Sequence, residues 1–275
     1  MRPQQANRRR VRVASALLLT LGVSLLSYPF VSNALARYAQ DAAIQSSDEA
    51  IAALTNAEIK RLWADARQYN EELAGDPVHD PFIPGSGYAL PSGYQNALNA
   101  AGDGVMATLE IPKIGIRLPV YHGTSEEVLE KGAGHLEQTA LPIGEKGCRP
   151  IITGHRGLPE AELFTRLDEL AEGDTFTLHV LGESLAYRVC DIEAIAPGDM
   201  ERIASVPGKD LVTLVTCTPY GVNTHRLLVT GERCPLEEAN LATYDEKEVG
   251  ILIAFALALA ALLTASACIH RRRTP

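Results

Sequence analysis

Two long uncharged apolar segments, each bordered by arginines, constrain this chain more than any other feature. Residues 13–36 and 249–269 contain no charged side chain and are rich in Leu, Ala, Val and Ile. Roughly 20 apolar residues of helix suffice to cross the hydrocarbon core of a bilayer. Both segments are therefore predicted to be transmembrane helices, and one exported region lies between them.

The flanking charges predict the topology. Arginines cluster within the tail 1–12, before the first apolar segment, and within the tail 270–275, after the second. Because basic residues are retained on the cytoplasmic side, both termini are expected in the cytoplasm and residues 37–248 outside. The first segment has a second interpretation as a cleaved signal, since Ala34-Leu35-Ala36 has the A-x-A form of a cleavage site.

The exported region is strongly acidic. All 34 Asp and Glu residues fall within 37–248, whereas eight of the 25 Lys and Arg residues lie outside it, which leaves 17 basic residues there. A nucleic-acid partner requires a basic surface for the phosphate backbone. The charge distribution therefore argues against nucleic acid and is compatible with a domain outside the membrane.

The exported region divides into four parts. Residues 37–74 are predicted to be helical, with Ser47-Asp48 as a cap for a helix that ends near Leu73. Residues 75–105 form a loop dense in Gly and Pro, and 106–234 form a β-rich domain followed by an acidic linker, 235–248. A long irregular loop in a compact domain is more often functional than accidental.

The β-rich domain, residues 106–234, contains short stretches with the residue pattern of β-strands, separated by Gly, Pro and Asp. Many short strands with turn signals favour a closed barrel or a sandwich, and Pro159 marks the start of one short helix over 160–170. The predicted strands are 106–111, 114–121, 150–153, 175–181, 184–195, 211–217 and 226–230.

A cysteine and an arginine stand at the facing ends of two predicted strands. Cys217 ends an apolar run that Pro219 stops, and Arg226 opens the next run nine residues later. If these strands form a hairpin, the thiol and the guanidinium lie side by side. His155 follows another apolar strand in Thr-Gly-His-Arg-Gly.

Together these three residue types suit acyl transfer. A free thiol with a pKa of roughly 8.5 is only slightly ionised at neutral pH, so a neighbouring cation would stabilise the nucleophilic thiolate. His155 can protonate a leaving amine, and Arg226 can donate hydrogen bonds to a developing oxyanion.

The segments TLVTC and NTHRLLVTG, with TGHRG upstream, resemble the sortase family of cell-surface cysteine transpeptidases. The resemblance covers residues 107–231 and implies a mainly β fold, an eight-stranded closed sortase barrel with short helices, preceded by a helical segment and flanked by two transmembrane helices. It also implies that Cys217 is the acylating nucleophile, His155 the general acid and base, and Arg226 the oxyanion partner.

Asp80-Pro81-Phe82, in the long loop, resembles the lid of class C, pilus-assembling sortases. Such a lid would pair Asp80 with Arg226 and cover the Cys217 sulfur with Phe82, so it must move before substrate enters. The two membrane segments and the preceding helical region also resemble class C.

The implied reaction is a transpeptidation at the membrane of a Gram-positive bacterium. Cys217 would cleave the Thr-Gly bond of an LPxTG-like signal on a secreted pilin or surface protein, and a lysine amine of another pilin would resolve the thioester. The thioester retains its acyl reactivity, so neither a metal nor any other cofactor is required. The expected partners are these proteins and the lipid bilayer.

Several residues and functions stay open on the sequence alone. Thr216, Tyr220, Asn223 and His225 are candidate walls of the substrate groove. The exported Cys148, Cys190 and Cys234 are free thiols or contribute a disulfide, and Cys268 lies in the second apolar segment. The alternatives are a housekeeping sortase that anchors proteins to peptidoglycan and an inactive, membrane-tethered binding protein.

Overall fold

A computed structural model of the chain describes residues 3–73, 82 and 93–238. Its first element is a long helix, α1 (Pro3–Ala53), whose portion from Ala14 onward is long and apolar enough to cross a membrane. Among the described residues this is the one such helix, and the predicted second span, 249–269, lies outside them. The prediction of a long N-terminal apolar helix is therefore confirmed.

A second helix, α2 (Asn56–Glu72), follows after a short break. Thr55 caps it in a capping box, because the Thr55 side chain accepts from the Glu58 backbone and the Glu58 carboxylate accepts from the Thr55 backbone. The predicted cap at Ser47-Asp48 is wrong: Ser47 lies inside α1 and is buried. Helix α1 therefore continues without interruption from its apolar segment to Ala53.

Eight strands close into a barrel, as the resemblance implied. Around the barrel the order is β1-β2-β3-β4-β7-β8-β6-β5, and the pairs β2/β3 and β4/β7 are parallel. A short helix, α3 (Glu126–Lys131), precedes the third strand. The strands are β1 (Val105–Ile111), β2 (Ile116–His122), β3 (Ala133–His135), β4 (Ile151–Thr153), β5 (Thr175–Val180), β6 (Glu183–Ile195), β7 (Leu211–Thr218) and β8 (His225–Arg233).

The helix predicted over 160–170 is wrong. The structure has turns there and a short 3-10 helix at Leu167–Glu169. Tertiary hydrogen bonds replace the helical ones: the Phe164 N–H donates to the carbonyl of His155, and the carbonyl of Thr165 accepts from the Arg156 side chain. The segment is thus bound to the loop after β4.

Two apolar clusters result from the alternation of side chains along the strands. The larger cluster fills the barrel interior and includes Leu214, Leu227 and Val229. The smaller cluster contains Val215 and Leu228, which point to the opposite side of the same strands. Its members are Leu136, Ile151, Ile195, Ile203, Val215 and Leu228, and Phe82 packs against it.

Candidate active site

Cys217 and Arg226 occupy facing positions of the β7/β8 hairpin. They are paired directly across the antiparallel ladder, as are Thr218 and His225. Directly opposed residues have β-carbons roughly 5 Å apart on one face of a sheet. The hairpin expected from the nine-residue spacing is confirmed, and both residues are buried.

The strand β4 brings His155 to the same end of the barrel. Thr153 pairs with Val215 in the parallel β4/β7 ladder, so His155 and Cys217 each follow that pair by two residues. The Gly154 N–H donates to the Val215 carbonyl at 3.1 Å. The connection after β4 therefore stays beside β7 up to the histidine.

The side chain of Thr216 adds a second hydrogen bond between β7 and the segment that follows β4. Its side chain is fully buried, and its hydroxyl donates to the carbonyl of Gly154 at 2.7 Å. Of the candidate groove residues, Thr216 thus supports the turn that carries His155 and presents no exposed surface in this conformation.

The ring of Phe82 contacts both the imidazole of His155 and the guanidinium of Arg226. Its centroid is 5.7 Å from that of His155, and the Arg226 Cζ lies 5.0 Å from it. The contact with Arg226 has cation–π geometry. Phe82 also packs against the smaller apolar cluster, so an aromatic side chain from the long loop occupies the space that joins His155 to Arg226. Asp80 and Pro81 lie outside the described residues.

The electrostatic environment of His155 favours the neutral imidazole. Partial burial lowers its pKa below the ordinary histidine value, and the carboxylates of Glu126 and Glu130 oppose that shift. A neutral imidazole can accept a proton, so this environment is compatible with the general-base role expected of His155.

Arg156 is a site residue that the sequence interpretation did not single out. Its guanidinium donates to the carbonyl of Thr165 and to the hydroxyl of Thr218, each at 3.2 Å, and forms an ion pair with Asp168. The Arg156 Cζ also lies 5.8 Å from the ring centroid of Tyr220. The side chain therefore ties the loop after His155 to the loop after Cys217, and its signal was its position directly after the histidine.

The other candidate groove residues are exposed: Tyr220 and Asn223 lie in the β7/β8 connection, and His225 is the first residue of β8. Tyr220 packs over the turn at Gly157, where a β-carbon would approach the ring to 3.0 Å. Asn223 has a left-handed backbone, and its carbonyl accepts from the Arg226 guanidinium at 3.3 Å. The His225 ring contacts the hydroxyl of Thr224 at 3.0 Å. All three thus lie at the same end of the barrel as Cys217, and Asn223 contacts Arg226 directly.

The remaining described cysteines lie away from this constellation. Within the described part of the chain, Cys148, Cys190 and Cys234 form no disulfide, and neither does Cys217. Cys148 contacts the Asn70 amide, and Cys190 donates to the carbonyl of Thr230. The structure therefore has thiols where the sequence left a disulfide open.

Known proteins match both the sequence and the fold. The sortase domain model matches residues 109–234. Sortase D of Bacillus subtilis is 30% identical over 128 residues, which is 46% of this chain and 62% of that protein. The chain thus spans about three fifths of the length of this curated relative.

Solved structures extend the match. Sortase C-1 from Actinomyces oris is 43% identical with a TM-score of 0.62, covering 66% of this chain and 99% of that one. Sortase C from Streptococcus pneumoniae is 40% identical with a TM-score of 0.62, covering 70% of this chain and 96% of that one. With nearly the full length of both solved domains matched at such identity, and with Cys217 paired to Arg226 beside the His155 turn, the chain belongs to the sortase family of cysteine transpeptidases.

Proposed function

We propose that this chain is a membrane-anchored class C sortase that polymerises pilins. The observation that carries the proposal is Phe82, a loop residue that lies between His155 and Arg226 and packs on the apolar cluster beside them. An aromatic side chain at this place supports a lid formed by Asp80-Pro81-Phe82. The solved structures from Actinomyces and Streptococcus that the chain resembles are sortases of type C, and the substrates of the streptococcal enzyme are pilins.

In the first step, Cys217 attacks the Thr carbonyl carbon of an LPxTG-like signal. His155 takes the thiol proton and then delivers it to the departing Gly nitrogen as the Thr-Gly bond breaks. The guanidinium of Arg226 stabilises the negative charge on the carbonyl oxygen. The products are a thioester on Cys217 and a free amine on the released tail.

In the second step, a lysine amine of another pilin attacks the thioester carbon. His155 accepts a proton from that amine, and the Cys217 thiolate leaves. An isopeptide bond joins the two pilins, and the proton passes from His155 to the released Cys217 thiolate, which restores the starting thiol and neutral imidazole. Anchoring through α1 places the enzyme on the same surface as its membrane-held substrates, which raises their effective concentration.

The direct test is to trap the acyl-enzyme. The full chain in detergent is incubated with an LPxTG peptide, and intact-mass spectrometry follows the thioester adduct. We expect an adduct on the wild type that Cys217→Ala abolishes and that Cys190→Ala, which removes an exposed thiol, retains. An adduct that persists in Cys217→Ala would contradict the assignment of the nucleophile, and no adduct on the wild type would favour an inactive binding protein.

A second incubation separates pilus assembly from wall anchoring. The full chain is mixed with a secreted pilin that carries the sorting signal, and denaturing gels reveal covalent products. Ladders of pilin polymer are expected. Transfer only to a peptidoglycan-precursor amine, with no ladder, would identify a housekeeping sortase.

A further inference from the structure

The loop that follows His155 contacts α1 near the outer end of the predicted span. Tyr28 donates a hydrogen bond to the Glu160 carboxylate at 3.0 Å, and Ser32 donates one to the carbonyl of Pro159 at 3.1 Å. Roughly 20 residues of helix cross a bilayer core, and that length, counted from the start of the uncharged stretch at residue 13, ends near Ser32. The loop is therefore held where the helix leaves the hydrocarbon.

From this point α1 runs along the barrel toward the opposite end. Arg37 forms an ion pair with Glu162 at 2.6 Å, and further along the helix Ile51 lies next to Gly182, where a β-carbon would be 3.8 Å from the Ile51 side chain. Nineteen helical residues separate Ser32 from Ile51, which corresponds to about 28 Å. The contacts are thus spread over the whole length of the barrel, so they fix its orientation on the helix.

The two ends of the barrel differ in function. Gly182 lies in the hairpin between β5 and β6, and β6 runs from there to Ile195, which pairs with Arg226. The end beside Ile51 is therefore the one remote from the active site. The end beside Ser32 carries the His155 loop, so the catalytic end is the one next to the membrane.

An independent observation marks this end as a lipid contact. Within the described part of the chain, and apart from α1, the two most exposed large apolar side chains are Tyr220 at 59% and Val222 at 64%. Both lie in the β7/β8 connection directly beyond Cys217. Tyrosine is enriched at membrane interfaces, where its ring is apolar and its hydroxyl stays hydrated.

We infer that the catalytic end of the barrel faces the outer leaflet and that the loop 219–224 touches the lipid headgroups through Tyr220 and Val222. This orientation rests on the membrane anchoring included in the proposed function.

Tryptophan quenching tests the orientation without any reference to activity. Trp63 is the single native tryptophan, so the wild-type signal serves as background. The full chain is reconstituted in phosphatidylcholine vesicles that contain a headgroup nitroxide lipid, with either Val222→Trp or Glu183→Trp. Glu183 is exposed in the remote hairpin and is the matched control. We expect the tryptophan at position 222 to be quenched severalfold more than the one at position 183.

Flotation of the vesicles distinguishes a wrong orientation of the barrel from a lack of membrane anchoring. Protein that floats with the vesicles but shows equal quenching at both positions, or stronger quenching at 183, would overturn the orientation and leave the anchoring intact. Protein that does not float would overturn the anchoring and this inference together. If the two tryptophan variants float and show the expected difference in quenching, yet the wild type forms no acyl-enzyme, the proposed function alone would be contradicted.

A kinetic comparison distinguishes lipid contact from substrate contact. Val222→Ser is assayed on a soluble LPxTG peptide and on the same signal carried by a membrane-spanning segment in the same vesicles, with Val206→Ser as the control. We expect turnover of the vesicle-bound signal to fall severalfold in Val222→Ser, whereas turnover of the soluble peptide is unchanged. An equal decrease on both substrates would show that the loop binds peptide, which would overturn the inference.

Discussion

At the scale of single residues, Arg156 holds together the two loops on which the chemistry depends. His155 lies two residues beyond β4, and Cys217 is the penultimate residue of β7, so the loops after these two strands flank the site. Arg156 joins these loops through Thr165, Thr218 and the ring of Tyr220. A guanidinium suits this task because its fork of donors serves several acceptors at once.

We predict that Arg156→Ala loosens the arrangement of His155 relative to Cys217. Peptide turnover should fall by about tenfold, since small displacements of reacting groups are costly, whereas KM should change little. The free energy of unfolding should decrease by about 2 kcal/mol, because charged hydrogen bonds are lost. Steady-state kinetics and urea denaturation measure the two effects.

Arg166→Ala is the matched control for Arg156→Ala. Arg166 comes from the same region, but its ion pairs with Glu162 and Glu169 are substantially exposed. Such pairs contribute about 1 kcal/mol or less. Equal losses of turnover in the two variants would contradict a specific role of Arg156 in holding the loops.

At the scale of elements, the contacts of Phe82 link access to the site with the protonation of His155. The Phe82 ring packs beside His155, and burial is the main cause of the lowered pKa of that imidazole. The same ring stacks on Arg226, the group assigned to the substrate oxyanion. Departure of Phe82 would therefore expose the guanidinium and rehydrate the imidazole in one movement.

Phe82→Ala should consequently speed thiol labelling of Cys217 and raise the pKa of His155 toward its ordinary value. Burial lowers the pKa of a histidine because it destabilises the charged imidazolium. Removing the Phe82 ring reduces this burial, so the pKa of His155 should rise. Labelling with a maleimide reports the first effect, and NMR titration of the histidine reports the second. Unchanged labelling together with an unchanged histidine titration would refute the plug. Phe30→Ala, in the apolar segment of α1, is the control that should change neither.

At the scale of the whole molecule, a buried histidine links the stability of the barrel to pH. His135, in β3, is fully buried, and burial lowers its pKa to about 4. Its Nε2 donates to the carbonyl of Ala140, and its Nδ1 accepts from the Tyr94 hydroxyl, both at 2.9 Å. The neutral ring is thus fully hydrogen-bonded inside the fold, whereas the unfolded chain protonates it near its ordinary pKa.

The folded state should therefore lose stability as the pH falls from about 6.5 toward 4. Across this window the unfolded chain binds the proton and the folded one does not, so the full stability is present above the unfolded pKa. A pKa difference of this size corresponds to about 3 kcal/mol. The urea concentration at the unfolding midpoint should decrease as the pH falls across this window in the wild type and in the control His225→Gln. In His135→Gln the decrease should be smaller. An identical slope in all three proteins would contradict the assignment to His135.

Local patterns predicted those parts of the protein that depend on neighbouring residues. The uncharged stretch 13–36 indicated the long apolar helix because length and composition alone determine whether a helix can cross a bilayer. The pairing of Cys217 with Arg226 followed from strand alternation and a short connection, which are also local. The same reasoning failed at 160–170, where hydrogen bonds to His155 and Arg156 outweigh helix propensity, and it did not find the three-residue strand β3, which is too short to show a period.

The sequence by itself therefore determined the family, the candidate catalytic residues and the apolar helix, since each is carried by a contiguous motif. Only the tertiary structure decided that Phe82 enters the space between His155 and Arg226, that Arg156 binds both catalytic loops, and that α1 contacts the catalytic end of the barrel first. These relations join residues far apart in the chain. Their free energies come from packing and hydrogen bonds that exist only after the barrel has closed, so no local pattern records them.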